Sequence, residues 1–457
     1  MDKEECAHVF VLPHSIFLGC AMTTVGVVSL GCSKNQVDTE LMLGILKKHG
    51  YTITADESEA EILIVNTCGF IDPAKQESID TILAMAEHKK TGKCKLLVAT
   101  GCLTQRYEKE LLDAMPEIDL LLGTSQYPRL PQALKEAMNG KRPSYCAQDN
   151  SVLSGDRVLT SAPYTAYIRI ADGCDNRCAY CAIPLIRGGF RSRDMESVLE
   201  EIRTLAAQGV KEHVLVAQDT SRFGIDKAGR SLLPELMDKA AQIPGVEWLR
   251  VLYCYPDEVD DELLRVMSSH DNICKYLDLP LQHADPQLLR AMNRRGDMAA
   301  TKALLKKARD MGFVLRTTFI TGFPGETEEQ FARLMDFVEE IRFDRLGAFT
   351  FSPEEDTPAA EMPGQIDEEI KQQRLDQLMT AQQQISLERN RLRIGTVEKV
   401  LVESVDGMGG GIGRTSSEAP DTDGIIKLQG VHEEDLGGFV TARIVDAEHY
   451  DLHAERI

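Results

Sequence analysis

From Val25 onward the spacing of apolar residues alternates between two periods, and each change marks an element. Val25 to Leu30 is an apolar run of strand length. Asp38 to His49 carries apolar positions at helical spacing and is closed by Gly50 at its C′ position. Ile62 to Thr67 predicts a second strand. Asp72 followed by Pro73 predicts an N-cap with proline at N1, opening a helix that runs towards Lys90; a third strand follows at Leu96 to Thr100. Strands alternating with helices at this spacing predict an open parallel α/β sheet.

Pro128, Pro131 and the run Asn139-Gly140-Lys141-Arg142-Pro143 predict a linker, with a new domain from about Ala162. Strand candidates then recur at Tyr164–Ile170, His213–Gln218, Trp248–Tyr253, Tyr276–Leu281, Val314–Thr321 and Gly347–Phe351. Helical patterns lie between them, at Met195–Gln208, Asp257–Ser268 and Thr327–Ile341 among others. Six βα units fall short of the eight of a closed (β/α) barrel and predict a partial barrel, open on one side. A long polar helix from Asp367 to about Arg393 leads into short strands with glycine turns, the pattern of a small β-barrel. The expected division is an extension over 1–21, an N-terminal domain over 22–140, a linker over 141–161, the partial barrel over 162–390 and the terminal barrel over 391–457.

Cysteine placement adds chemistry to this outline. Cys174, Cys178 and Cys181 lie within eight residues, spaced C-x3-C-x2-C, just after the first strand of the partial barrel. Thiolate sulfur is a soft ligand for zinc or iron–sulfur clusters. A closed structural zinc site needs four protein ligands, and no fourth Cys or His is near. A four-iron cluster on three thiolates keeps one iron free for a cofactor or substrate. The alternatives are a zinc site completed from afar, or three cysteines that coincide on a loop. Cys32, Cys68 and Cys102 each fall one to three residues past one of the first three strands. The carboxyl ends of strands in an open α/β sheet share one edge. If those strands are neighbours, the three thiols converge as a second ligand set. Cys6, Cys20, Cys94, Cys146, Cys254 and Cys274 have no such spacing and read as ordinary thiols.

Composition narrows the partners. With 43% hydrophobic and 27% charged residues the chain is an ordinary globular one. No apolar run approaches the ~20 residues of a spanning helix, so no membrane partner is expected. Cysteines spaced for metal rather than for a disulfide framework fit a reducing cytoplasm. The net charge of −21 disfavours nucleic acid as the main substrate and suits a basic partner. Over residues 391–457 seven basic side chains face thirteen acidic ones, a net of −6, and Phe439 and Tyr450 are the aromatics, a poor platform for stacked bases. Met1 to Ala21 opens with acidic residues and lacks the basic start of a secretory signal, so a misplaced start or a dispensable extension is expected.

The C-x3-C-x2-C loop with Tyr180 before its last cysteine resembles the radical S-adenosylmethionine superfamily. With both cysteine sets and the terminal barrel, the chain from about Met22 to its end resembles the methylthiotransferase family, whose terminal barrel is a TRAM domain. Ser29-Leu-Gly-Cys-Ser-Lys-Asn-Gln-Val-Asp-Thr-Glu40 and Gly413-Arg-Thr-Ser-Ser-Glu-Ala-Pro-Asp-Thr-Asp-Gly424 resemble its ribosomal-protein branch. The resemblance implies two 4Fe–4S clusters, on Cys174, Cys178 and Cys181 (the one that binds S-adenosylmethionine) and on Cys32, Cys68 and Cys102 (the auxiliary one). It implies a 5′-deoxyadenosyl radical that takes a hydrogen from the β-carbon of an aspartate of ribosomal protein uS12, sulfur supplied by the auxiliary cluster, and an electron donor. Two other readings stand beside it. One is a tRNA adenosine methylthiotransferase acting next to the anticodon, disfavoured by the acidic barrel. The other is a non-enzymatic iron–sulfur module that docks on the ribosome.

Weaker signals sit at other strand ends. Gln218-Asp-Thr-Ser-Arg222, Gln282-His283 and Gly322-Phe-Pro-Gly-Glu-Thr327 suit cofactor contacts or turn and cap chemistry equally. Arg187, Arg191 and Arg193 form either a solvated basic loop or an anchor for an acidic group. Gly407 to Gly413 lacks the Gly-Lys-Ser/Thr of a phosphate loop and is expected to be a flexible turn.

Overall fold

Strands buried on both faces read as continuous apolar runs, and such runs form the centre of a parallel sheet here. The computed structural model describes residues 23–149 and 151–457; the expected extension over 1–21 lies outside them. The N-terminal sheet comprises β1 (Thr24–Ser29), β2 (Thr52–Ile53), β3 (Ile62–Thr67), β4 (Leu96–Gly101), β5 (Leu120–Leu122) and β6 (Ser144–Tyr145), in the order β2-β1-β3-β4-β5-β6 with every pair parallel. Every residue of β3 and β4 is buried. Two expectations shift. Ile71, not Asp72, holds the N-cap position of the second helix, because its backbone is still extended; Asp72 opens the helix and pairs with Lys75 at 2.5 Å. Ser144–Tyr145 falls inside the stretch read as linker, yet pairs as the sixth strand.

In the centre lie β7 (Thr165–Arg169), the short hairpin pair β8 (Ala171–Asp172) and β9 (Arg191–Ser192), then β10 (Glu212–Val216), β11 (Trp248–Val251), β12 (Tyr276–Gln282), β13 (Val314–Thr321) and β14 (Arg345–Thr350). The six parallel strands follow chain order as a partial (β/α)6 barrel, with one interruption. β7, β10 and β11 form one ladder and β12 to β14 another. They meet at an isolated bridge between Leu249 and Ile273. The Asp278 carboxylate accepts from the Tyr253 amide at 2.9 Å, so a side chain replaces part of the backbone ladder there.

The terminal unit is a closed barrel of β15 (Val397–Val405), β16 (Gly410–Arg414), β17 (Ile426–Gln429), β18 (Phe439–Ala447) and β19 (Leu452–Arg456), ordered β15-β16-β17-β19-β18. Part of the glycine run expected to be a flexible turn is therefore strand: Gly410 to Gly413 pair with β17. Among the described residues no helix is long and apolar enough to cross a membrane.

The loop after β16 plugs the amino-terminal end of the central strands. Arg414 reaches Glu212, the first residue of β10, at 2.7 Å, and Glu212 also accepts from Arg250 at 2.8 Å. Tyr276, the first residue of β12, donates to Asp423 at 2.6 Å; Arg345, the first of β14, donates to Glu418 at 2.8 Å. Phe439 packs edge-on against Trp248 with ring centroids 4.8 Å apart. Burial works to raise the Glu212 carboxyl, but Arg414 and Arg250 bring it down to about 2. A carboxyl held below its unfolded value stabilises the fold at every pH above that unfolded value, about 4.3, and loses the effect as pH falls towards the folded one. Glu212→Gln should lower the unfolding free energy at pH 7 by about 3 kcal/mol, since it leaves buried guanidinium groups uncompensated. Urea titrations between pH 7 and pH 2 should show wild type losing stability below about pH 4.5 and the variant losing less.

Candidate functional site

β1, β3 and β4 are neighbours, so the ends of all three lie side by side. Cys32 is the N-cap residue of the helix Ser33–Lys48, Cys68 follows β3 directly, and Cys102 opens the short helix Cys102–Arg106 after β4. Two glycines measure how closely these turns approach. A Cβ on Gly31, where φ is +88°, would stand 3.0 Å from the Cys68 Cβ and 3.2 Å from its sulfur. One on Gly69 would meet the backbone of Leu103 at 2.8 Å. Any side chain at either place would push the cysteine turns apart. Cys32 is exposed, Cys68 half-buried and Cys102 buried. Burial pushes the Cys102 thiol up to about 12 against the pull of Arg187, and raises Cys68 as well. Without metal these thiols hold their protons, and metal binding would expel them.

The second set sits on the loop after β8. The Cys174 amide donates to Gly188 O at 3.1 Å and the Ala179 amide to Met292 O at 2.9 Å. Three residues that the sequence reading passed over strap this loop. Asn293 donates to Arg177 O at 2.8 Å. Arg294 lies 3.8 Å from the Cys178 sulfur, donates to the Tyr180 hydroxyl at 3.1 Å and to Pro280 O at 2.6 Å, and stacks on Tyr255. Arg295 donates to Asn176 at 2.9 Å. Their one local sign is the polar run Asn293-Arg294-Arg295-Gly296 after a short amphipathic helix. Burial raises the thiols of Cys174 to about 11 and Cys181 to about 12.

The two sets adjoin. Cys102 packs with Ala182, the residue after Cys181, and with Ile186. Arg187, which ends that same turn, donates to Asn35 at 2.9 Å and to Asp38 at 2.8 Å, and lies 3.6 Å from the Cys102 sulfur. Arg169 also bonds Asp38. Arg187 and Arg193 are thus buried and not a solvated loop; Arg193 pairs with Glu201 at 2.5 Å. Of the weaker strand-end signals, Asp219 accepts from Asn176 of the cysteine loop at 2.7 Å. His283 faces Glu326 at 3.0 Å in full burial, and Glu326 accepts from the Gly322 amide at 2.5 Å, which is turn chemistry.

Among the described residues no three His, Cys, Asp or Glu side chains have the geometry of a single-ion site. A cubane cluster asks for something different: each thiolate binds a separate iron, so the sulfurs need only border a common volume. Each cysteine set, with three soft donors on backbone turns held close, suits that demand.

The comparisons with known proteins follow the same division. Residues 24–123 match an uncharacterized protein family, UPF0004; residues 168–338 match the radical SAM superfamily; residues 394–457 match the TRAM domain. The ribosomal protein uS12 methylthiotransferase RimO of Desulforamulus reducens is 48% identical over 441 residues, covering 95% of this chain and 99% of that protein. The protein of the same name from Pelotomaculum thermopropionicum is 49% identical over 439 residues, covering 95% and 99%. The chain belongs to the uS12 methylthiotransferase family. Family membership makes it a transferase of the radical S-adenosylmethionine superfamily and implies a four-iron cluster with S-adenosylmethionine. Among solved structures, the radical S-adenosylmethionine methyltransferase TsrM from Kitasatospora setae, with cobalamin and a 4Fe–4S cluster bound, is similar with a TM-score of 0.53. It is 15% identical over 74% of each chain, a likeness of fold.

Arg187→Met should cost the metal-free protein about 3 kcal/mol in urea unfolding, because Asp38 keeps a single guanidinium partner in full burial. Arg187→Lys should recover only part of it, since one ammonium cannot reach every acceptor that the guanidinium fork serves.

Proposed function

We propose that this chain transfers a methylthio group to the β-carbon of an aspartate of ribosomal protein uS12. The observation that carries the reading is identity near one half to uS12 methylthiotransferases across 95% of the chain, through both cysteine sets and the terminal barrel. Cys174, Cys178 and Cys181 would hold the cluster that binds S-adenosylmethionine, and Cys32, Cys68 and Cys102 the auxiliary one. When bound, these groups supply radical hydrogen abstraction and the methylthio sulfur. Such chemistry suits the substrate, because an unactivated C–H bond has no proton that a side-chain base could remove.

The chain's own residues position. Asn293, Arg294 and Arg295 hold the first cysteine loop against the end of β12, and Arg294 keeps a positive charge beside Cys178 that would offset thiolate charge. Arg187 and Asp38 tie that loop to the auxiliary turns. The ten cysteines of the described residues are all free, which fits a reducing cytoplasm. An electron donor outside this chain would be required. The acidic terminal barrel favours a basic protein over nucleic acid as the docking partner, and Phe439 is already engaged with Trp248.

Mass spectrometry of uS12 from cells lacking the gene should show its loss of one methylthio group, with tRNA unchanged; the converse pattern would promote the tRNA reading. Anaerobically reconstituted protein should hold about eight irons in two four-iron clusters. The triple change Cys174→Ala, Cys178→Ala and Cys181→Ala should leave about half of that iron. Loss of all the iron from a folded triple variant would contradict two independent sites.

A further inference from the structure

Lys34 is a buried residue whose ammonium has no anion among the described residues. It is 7% exposed, and no hydrogen bond or ion pair joins its ammonium to any described residue. Its contact is the face of the Tyr253 ring, 3.0 Å from ammonium to centroid. A lysine in the first turn of a helix opposes the helix dipole, whose positive end lies there. This helix offers no relief: its first turn holds no acidic residue, and Cys32 at the N-cap position makes no side-chain cap hydrogen bond. Lys34 and the N-terminal turn of Ser33–Lys48 therefore present positive charge to one place.

The other wall is also held at a cost. Tyr253 lies at the carboxyl edge of the central barrel with φ +64°, a conformation unfavourable for a bulky side chain. The Asp278 carboxylate accepts its amide at 2.9 Å, and the Thr220 amide donates to its carbonyl at 2.9 Å. A strained tyrosine of the central barrel and an unpaired lysine of the N-terminal domain meet two residues along the chain from Cys32.

We infer that Lys34, over the Tyr253 ring and at its helix N-terminus, anchors the side-chain carboxylate of the substrate aspartate. The inference rests on the uS12 reading. An aspartate carboxylate is bonded directly to the β-carbon, so holding the carboxylate fixes that carbon one bond from the anchored group. Lys34 is two residues from Cys32, one of the thiols assigned to the sulfur-supplying cluster. The carbon that receives sulfur must come within bonding reach of that cluster. A radical abstracts whichever hydrogen stands nearest, so selectivity for this carbon has to come from such an anchor. The same anchor rejects asparagine, whose amide is the same shape and uncharged.

The test measures binding of the reconstituted holoenzyme, with S-adenosylmethionine present, to uS12 and to uS12 in which the modified aspartate is asparagine. Wild type should bind the aspartate form about tenfold or more tightly, the span of a charge-assisted hydrogen bond. Lys34→Met should bind the two forms alike, and Lys34→Arg should restore the preference. Equal binding of the two forms by wild type would overturn the inference whether or not the variants fold. So would a Lys34→Met protein that keeps the preference, or one that loses affinity for S-adenosylmethionine instead. Failure of wild type to bind either form would overturn the uS12 reading itself, and this inference with it.

Discussion

Asp38 is the point on which the arrangement of the two cysteine sets depends. Its carboxylate is fully buried and is held by Arg169 from the first barrel strand and by Arg187 from the turn after the cysteine loop. An unpaired carboxylate in that position would be strongly disfavoured, so the N-terminal sheet docks on the central barrel in the one register that brings both guanidinium groups to it. Buried ion pairs add modest net stability. What this one adds is position: Arg187 reaches Asn35, Asp38 and the Cys102 sulfur from a helical turn that begins two residues after Cys181. Any relative slip of the two sheets would break those bonds at once.

The far end of the central barrel is closed by a comparable device. The segment Gly413 to Gly424 resembles the ribosomal-protein branch of the family, and the structure uses much of it internally: Glu212, Arg345 and Tyr276 are engaged by Arg414, Glu418 and Asp423. This segment therefore fixes the terminal barrel to the central one. A barrel docked so tightly presents its remaining surface at a constant angle to the carboxyl edge, where both cysteine sets sit. Access from the amino end is blocked, which leaves the carboxyl edge as the open one.

The strand and cysteine framework was legible in the sequence because its signals are local. Apolar runs such as Ile62–Thr67 match the observed strand residue for residue, and C-x3-C-x2-C needs no fold to be seen. What escaped depends on contacts distant along the chain. Arg187 meets Asn35 across 152 residues and Arg414 meets Glu212 across 202. Composition around Arg187 shows three arginines within seven residues, which reads as a solvated loop until Asp38 of the N-terminal domain is placed beside Arg187. Gly410 to Gly413 failed in the opposite direction: flexible by composition, they are held as strand by pairing on both sides. Cap geometry moved by one residue at Ile71 because the backbone angle, not the residue type, decides where the helix starts.

Charge is distributed so that one protein substrate can satisfy both of its regions. The chain carries −21 overall, with acidic side chains over the terminal barrel, while Arg169, Arg187 and Lys34 lie at the seam between the N-terminal sheet and the central barrel. A basic protein would be drawn to the outer surface, since complementary fields speed encounter over a range of about 10 Å at moderate salt. A basic side chain entering the seam would be repelled by the same cations. An acidic one is admitted. Arg169 and Arg187 share Asp38, and Arg187 also pairs with Asp172, so of these three cations Lys34 is the unpaired one. Repulsion of the wrong side chain and attraction of the right one then act at the same place.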